Sequence, residues 1–169
     1  VWGLQPSHPA MAENRTLFPS TVVDVTKSEP ATRLLISGKE NRKLGEIVEK
    51  GRYKGYALFG LSLEERATCP TYCQLRDRCY GNGMQYARRH RILNEDTFYQ
   101  RLEDEISQHT ASYAGLLVRL HVLGDFPSTD YVSFWADMLD AYPNMACYGY
   151  TRRHHMPSDG DEIGQAVAS

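Results

Sequence analysis

Apolar residues recur along this chain at two different spacings, and the points where the spacing changes mark its elements. Residues 116–122 (LLVRLHV) alternate: Leu116, Val118, Leu120 and Val122 point one way from an extended chain, and Leu117, Arg119 and His121 the other. This predicts a strand whose second face turns polar towards its end. In residues 94–109, Phe98, Leu102 and Ile106 repeat every fourth position behind Asn94, a capping residue, and Glu95 and Asp96, which suit the dipole of a first turn. That is the pattern of a helix. Residues 129–142 carry a second helical stripe of Tyr131, Phe134, Trp135, Met138 and Leu139, with Ser128 as cap and Pro143-Asn144 as stop.

Shorter apolar runs at 33–37 (RLLIS), 56–63 (YALFGLSL) and 145–151 (MACYGYT) read as strands, separated by polar, glycine-containing turns. Residues 84–93 (MQYARRHRIL) have helical composition, and residues 162–169 (EIGQAVAS) read as the opening turn of a further helix without a C-cap. Pro6, Pro9, Pro19 and Pro30 interrupt every periodicity before residue 32, so residues 1–31 are expected to form an extended arm and residues 32–169 an α/β domain. The chain opens on neither a secretory signal nor an initiator methionine and is expected to be a piece of a longer reading frame, cut short at its C-terminus too.

Strand, helix, strand and helix alternate through the second half, which predicts right-handed crossovers and a mostly parallel sheet, part of a TIM-barrel-like βα array. In such sheets every strand-to-helix loop opens on one edge, so polar residues at strand ends meet there. Three motifs fall at strand ends: the cysteine-rich stretch after residue 63, Gly124-Asp125, and Tyr150-Thr151-Arg152-Arg153. Parallel strands would bring all three together.

Composition narrows the chemistry. With 41% hydrophobic and 24% charged residues and a formal net charge of −2, the chain has ordinary globular character, which gives no support to general polyanion binding. No apolar run is long enough to cross a bilayer. Three of the four cysteines lie between residues 69 and 79, which leaves one unpaired whichever local bridge forms. A reducing, cytoplasmic compartment is therefore expected. P-loop, GxGxxG, HExxH and GxSxG motifs are absent from the sequence.

Cys69-x3-Cys73-x5-Cys79 supplies three soft thiolates in one loop, suited to zinc or an iron–sulfur cluster. A [4Fe–4S] cluster held by three protein thiolates keeps an open coordination position; a zinc site with its fourth ligand elsewhere is equally permitted by the count. Three unrelated cysteines are the plain alternative. Cys147 sits inside a strand and reads as a buried structural thiol. Gly124 allows close backbone approach, and Asp125 can bind an ammonium or ribose hydroxyl or simply close its own turn. Arg119 and His121 share the face leading there, although a histidine on a strand is commonly a satisfied core residue. Arg76, Arg78, Arg88, Arg89, His90 and Arg91 make the cysteine region locally basic. Arg152, with its neighbours Arg153, His154 and His155, forms either an anion-binding loop or an exposed turn.

Taken together, residues 33–45, 54–91, 118–135 and 147–152 resemble a family of phage, prophage and plasmid genomes, the "gene product 88" type. The resemblance covers about residues 33–165 and is most specific at the cysteine stretch, the His121-x-x-Gly124-Asp125-Phe126 turn and the Tyr148-x-Tyr150-Thr151 strand end. It implies that similar sequences continue into a second cysteine-rich segment that would supply further metal ligands. Where they carry an aromatic or aliphatic residue, this chain has Cys147, and Pro127 stands where an aromatic or polar residue is commoner. A more distant similarity links the arrangement to radical S-adenosylmethionine enzymes, in which a three-cysteine loop after the first barrel strand holds a [4Fe–4S] cluster and a glycine- and acid-containing segment binds the methionine amine. Cys69, Cys73, Cys79, Gly124 and Asp125 occupy comparable places, though the loop spacing departs from the common three-then-two pattern.

The leading expectation is thus an iron–sulfur protein of a mobile element. In it, His121 and Asp125 would act as catalytic residues, Arg119, Gly124, Tyr150, Thr151 and Arg152 would join Asp125 in binding S-adenosylmethionine or substrate, and Arg152 would steady an anionic group. The alternatives are a zinc-stapled nucleic-acid-binding module without catalysis and a metal-assisted hydrolase using His121 and Asp125.

Overall fold

The computed structural model describes residues 13–27, 32–41 and 43–169; most of the proline-rich arm, including Pro6, Pro9 and Pro30, lies outside them. The described residues include six strands: β1 (Val22–Val25), β2 (Ile36–Ser37), β3 (Ala57–Ser62), β4 (Arg89–Ile92), β5 (Leu116–Leu123) and β6 (Met145–Gly149). Among the described residues, α-helices alternate with the later strands: α1 (Glu95–Ser112), α2 (Thr129–Ala141) and α3 (Glu162–Ala168).

The main sheet has the order β2-β3-β5-β6. Its three long strands are mutually parallel, and the two-residue β2 lies antiparallel on the edge of β3. β1 and β4 form a separate parallel pair, joined to the end of β3 by a single bridge between Leu63 and His90. The fold is therefore mixed α/β with a mostly parallel sheet, and the described strands do not close into a barrel.

One core explains why these segments fold as they do. Ala57, Phe59 and Leu61 of β3 and Leu116, Val118 and Leu120 of β5 bury one face of the sheet. Phe98, Leu102 and Ile106 of α1 and Tyr131, Phe134, Trp135 and Met138 of α2 cover that face. Both helices thus pack on the same side, with Phe59 stacked on His109 at 4.1 Å and Tyr99 on Phe134 at 4.8 Å. Asn94 caps α1 by accepting from the Thr97 N–H, and Ser128 caps α2 by accepting from the Tyr131 N–H, as their positions predict. Leu139, expected in the stripe, is 40% exposed. Gly149 is required by close packing: a Cβ there would lie 1.6 Å from the Leu120 carbonyl oxygen.

Four readings of the sequence change. Residues 84–93 form no helix; a loop leads into strand β4, in which Arg89 and His90 are buried and Arg91 makes a bidentate pair with Asp24 of β1 at 2.6 and 2.9 Å. Within the expected arm, Val22–Val25 is a paired strand. Of residues 33–37 only the last two pair in the sheet, because the buried Leu34 and Leu35 donate their N–H groups to the Glu105 carboxylate on α1 at 2.8 and 2.9 Å. In β5 the alternation changes phase after Leu120: His121 and Leu123 are buried and Val122 is not, at the point where β3 and β5 shift register between Gly60 and Ser62.

Candidate functional site

The turn out of β3 carries four residues, Leu63, Glu64, Glu65 and Arg66, each no more than 2% exposed. Three consecutive buried charges are costly unless each is bonded. Glu64 receives Arg15 Nε at 2.5 Å, Arg15 Nη2 at 3.0 Å and the Thr16 N–H at 3.2 Å. Glu65 receives Arg89 Nε at 2.6 Å, Arg89 Nη2 at 2.9 Å and the Thr16 hydroxyl at 2.7 Å. Arg89 also donates to the carbonyls of Gly81, Met84 and Ala87, so it holds the far end of the cysteine loop against the β3 turn.

Arg66 differs from its neighbours. Its guanidinium donates to the carbonyls of Arg15 and Arg76 and to Asn82 Oδ1, all uncharged, and it has no carboxylate at ion-pair distance among the described residues. Its Nε is buried without a partner. Burial works against its charge, while Glu65, Cys79 and Cys69 are the nearby groups whose negative charge would favour it.

The cysteine loop is then tied to the ends of β5 and β6. Thr68 accepts the Asp125 N–H at 3.1 Å through its hydroxyl, and its carbonyl accepts Arg153 Nη2 at 3.2 Å. The Tyr80 hydroxyl donates to the Val122 carbonyl, and the Tyr72 hydroxyl donates to Asp161, the cap of α3. Tyr72 also packs on His154 with ring centroids 4.1 Å apart. Gly124 adopts φ +87°, and a Cβ would lie 2.7 Å from Thr68 Oγ1 and 2.9 Å from Leu63 Cβ, so the Thr68 and Leu63 side chains reach the β5 backbone only because this residue is glycine.

These ties create a cleft of about 470 Å³ at the C-terminal edge of the parallel strands. One wall is Cys69, Cys73 and Cys79; a second is Arg119, His121, Gly124 and Asp125; a third is Tyr150, Thr151 and Arg152. The residues expected to act in catalysis, in cofactor binding or as metal ligands therefore line one cavity, whereas Arg88, Arg89, His90, Arg91, Arg153, His154 and His155 do not line it. Cys147 does not; it packs against the core from β6, where burial pushes its thiol up to about 12.

Within the cleft the residues play different parts. Asp125 is 2% exposed and holds the walls together: Oδ1 accepts from the Phe126 N–H at 2.8 Å and the Thr151 hydroxyl at 2.7 Å, and Oδ2 accepts from the Arg152 N–H at 2.8 Å. Oδ2 retains capacity for a second donor. His121 is buried against Phe126 and bonded through Nε2 to the Tyr131 hydroxyl at 2.9 Å; burial lowers it to about 3, so its ring is neutral at physiological pH. Its Nδ1 has no partner. Burial pushes the Cys69 thiol up to about 12, helped by the charges of Asp125 and the other two cysteines, and burial likewise raises Cys79. Arg153, adjacent to the expected Arg152, is a structural residue that donates to the carbonyls of Phe126 and Thr68.

The sequence reading missed Thr16, Glu64, Glu65, Arg66, Asn82 and Arg89 as the frame of the cysteine loop. Their one visible signal was a run of charges directly after an apolar strand. Among the described residues, no three His, Cys, Asp or Glu side chains stand close enough together to hold an ion. The donor set still fits a thiolate-held group in kind: three half-buried thiols line the cleft, and the partnerless Nε atoms of Arg66 and Arg76 belong to residues lining the same cavity. Inorganic sulfide or thiolate sulfur accepts such N–H donors.

Fold and cleft define a class: an α/β protein with a cysteine-walled cleft at the carboxyl edge of its parallel strands. The family model described as Gene product 88 matches residues 34–163, and the chain belongs to that family. No curated protein and no solved structure gave a match.

Proposed function

We propose that the cleft is the seat of an iron–sulfur cluster held by Cys69, Cys73 and Cys79, in a cytoplasmic protein of a phage, prophage or plasmid. The observation that carries this reading is Arg66. A buried guanidinium with no carboxylate at ion-pair distance needs a counter-charge; the negative groups near it are Glu65, whose carboxylate is already held by Arg89, and the sulfurs of Cys79 and Cys69. Neutral thiols would leave it only a share of the Glu65 carboxylate that Arg89 holds; three thiolates around a [4Fe–4S] cluster would supply both further negative charge and an acceptor for its unpaired Nε.

In the radical S-adenosylmethionine-like form of this proposal, the sheet is part of a larger barrel. Its helix-free face, carrying Arg119 and Tyr148, would turn inward. When bound, the cluster would supply one-electron reducing power at an open coordination position. The protein's own contribution is positional. Gly124 lets Thr68 and Leu63 pack directly on the β5 end and so sets the depth of the cleft, and Asp125 Oδ2 offers its remaining lone pair to an ammonium while its other bonds fix Thr151 and Arg152. Neutral His121 presents Nδ1 as an acceptor or donor without adding charge.

Anaerobic reconstitution with iron and sulfide, read by visible absorption and EPR, tests the reading. The expected result is a broad charge-transfer band and bound iron and sulfide, lost on changing any of Cys69, Cys73 or Cys79 to Ser and kept in Cys147→Ser. Arg66→Gln is expected to shift the reduction potential of the bound cluster downward, because it removes a positive charge near the cluster. Tight zinc with no cluster band would overturn the proposal in favour of a zinc-stapled module.

A further inference from the structure

The charges that line the cleft do not balance. Five arginines face it, at 66, 76, 78, 119 and 152, against the carboxylates of Glu65 and Asp125. Glu65 is engaged by Arg89 and Thr16, and Asp125 by backbone N–H groups and Thr151, so neither offsets a cleft arginine by a side-chain pair. Arg66 and Arg76 spend their guanidinium groups on uncharged oxygens of the cysteine loop and of Asn14 and Arg15. The side chains of Arg78, Arg119 and Arg152 make no hydrogen bond or ion pair among the described residues. Arg78 and Arg152 are exposed, but Arg119 is half-buried on β5, where an unpaired charge is harder to explain as mere surface.

Aromatic rings flank these arginines. Arg119 pairs in register with Tyr148 on β6; burial raises the phenols of Tyr148 and Tyr80, and the nearby charge of Arg119 acts against that rise in both. At the lip, Tyr80 is 60% exposed and Tyr150 is 84% exposed, both lining the cleft. Large exposed aromatic surface beside unpaired guanidinium groups matches one ligand chemistry: a phosphate for the arginine forks and a flat ring for the tyrosine faces. The volume is that of a small-molecule site, and a chain of net charge −2 is poorly suited to a long polyanion.

We infer that the outer part of the cleft binds a nucleoside phosphate, with the phosphate on Arg119 and Arg152 and the base against Tyr150. This names the substrate class of the same cleft and rests on reading it as the functional site, though not on the metal. Calorimetric titration of the full chain, metal-free and reconstituted, with each of the four 5′-ribonucleotides, with the matching nucleosides and with inorganic phosphate tests it. At least one nucleotide is expected to bind, with its nucleoside weaker by about tenfold or more, as for loss of charge-assisted bonds. Arg119→Gln and Arg152→Gln should each weaken it by a similar factor, with Arg152→Lys partly retained; Tyr150→Ala should weaken it and Tyr150→Phe should not. Circular dichroism confirms that each variant is folded. Binding by no nucleotide, equal binding of nucleotide and nucleoside, or far tighter and steeply salt-dependent binding of a short oligodeoxythymidylate would overturn the inference. In Cys69→Ser, nucleotide binding that persists without a cluster separates the two proposals. A cluster without nucleotide binding sinks this one alone, and nucleotide binding without a cluster sinks only the other.

Discussion

Glu65 and Arg89 are 1% and 0% exposed, yet together they fix the loop on which the cleft depends. Removing one member of such a pair leaves the other charged and dry, whereas removing both replaces one polar cluster by packing. Arg89→Leu is therefore expected to cost about 3–5 kcal/mol, and adding Glu65→Gln to recover part of that loss; urea denaturation of the single and double variants measures it. A double variant no more stable than Arg89→Leu would show that the carbonyl bonds of Arg89 matter more than its ion pair. These residues were unreadable in the sequence for a physical reason. A charged residue is nearly always solvated, and only the three-dimensional meeting of residues 16, 65 and 89 reverses that default.

Strands β4 and β5 show where periodicity succeeds and where it fails. The first half of β5 alternates as its sequence predicts, because Leu116, Val118 and Leu120 meet α1 and α2 across one flat face. Its second half does not, because β3 and β5 lose register there and His121 turns into the core. β4 was illegible altogether: Arg, His and Arg carry no strand signal, and what makes them a strand is pairing with β1, the bond from His90 Nδ1 to the Ser62 carbonyl and the Arg89 anchor. The caps, stripes and strand ends that placed the cleft are local signals; the frame that shapes it consists of contacts distant in sequence.

The two strand histidines make a prediction at this scale. Burial lowers His90 to about 4 and His121 to about 3, both from 6.5. Above pH 6.5 both are neutral folded and unfolded, and their contribution is fully present. As pH falls, the unfolded chain takes up protons that the native state refuses, so stability is lost from about 6.5 down to about 4 for His90 and about 3 for His121. The slope is at most about 1.4 kcal/mol per pH unit for each histidine. Denaturation midpoints measured at successive pH values check it: a curve flat between pH 6.5 and 5 would contradict the burial of both rings, and His121→Phe should reduce the slope.

At the scale of the whole molecule, the family match over residues 34–163 and the convergence of three strand ends on one cleft describe the same object. Parallel topology made that convergence legible before any contact was known, since strand-to-helix loops share an edge. What topology could not say is which walls are fastened to which. The Tyr72 hydroxyl and Asp161 join the cysteine loop to the cap of α3 across 89 residues of chain, with the His154 N–H donating to the same pair. Burial alone would raise the Asp161 carboxyl, but the bonds from Tyr72 and Gly164 and the charge of Arg153 hold it below its usual range.

That junction has a kinetic consequence. Two stretches so far apart in sequence cannot open independently if one short helix closes both, so they should exchange their amide hydrogens as one cooperative unit. Hydrogen exchange under native conditions is expected to give residues 70–80 and 162–168 a common opening free energy, and Asp161→Asn should lower both together while leaving the amides of β5 unchanged. Different responses in the two stretches would mean that they fluctuate separately. If the two stretches open together, α3 times access to the cysteines: the rate at which it lifts sets the rate at which solvent reaches the loop.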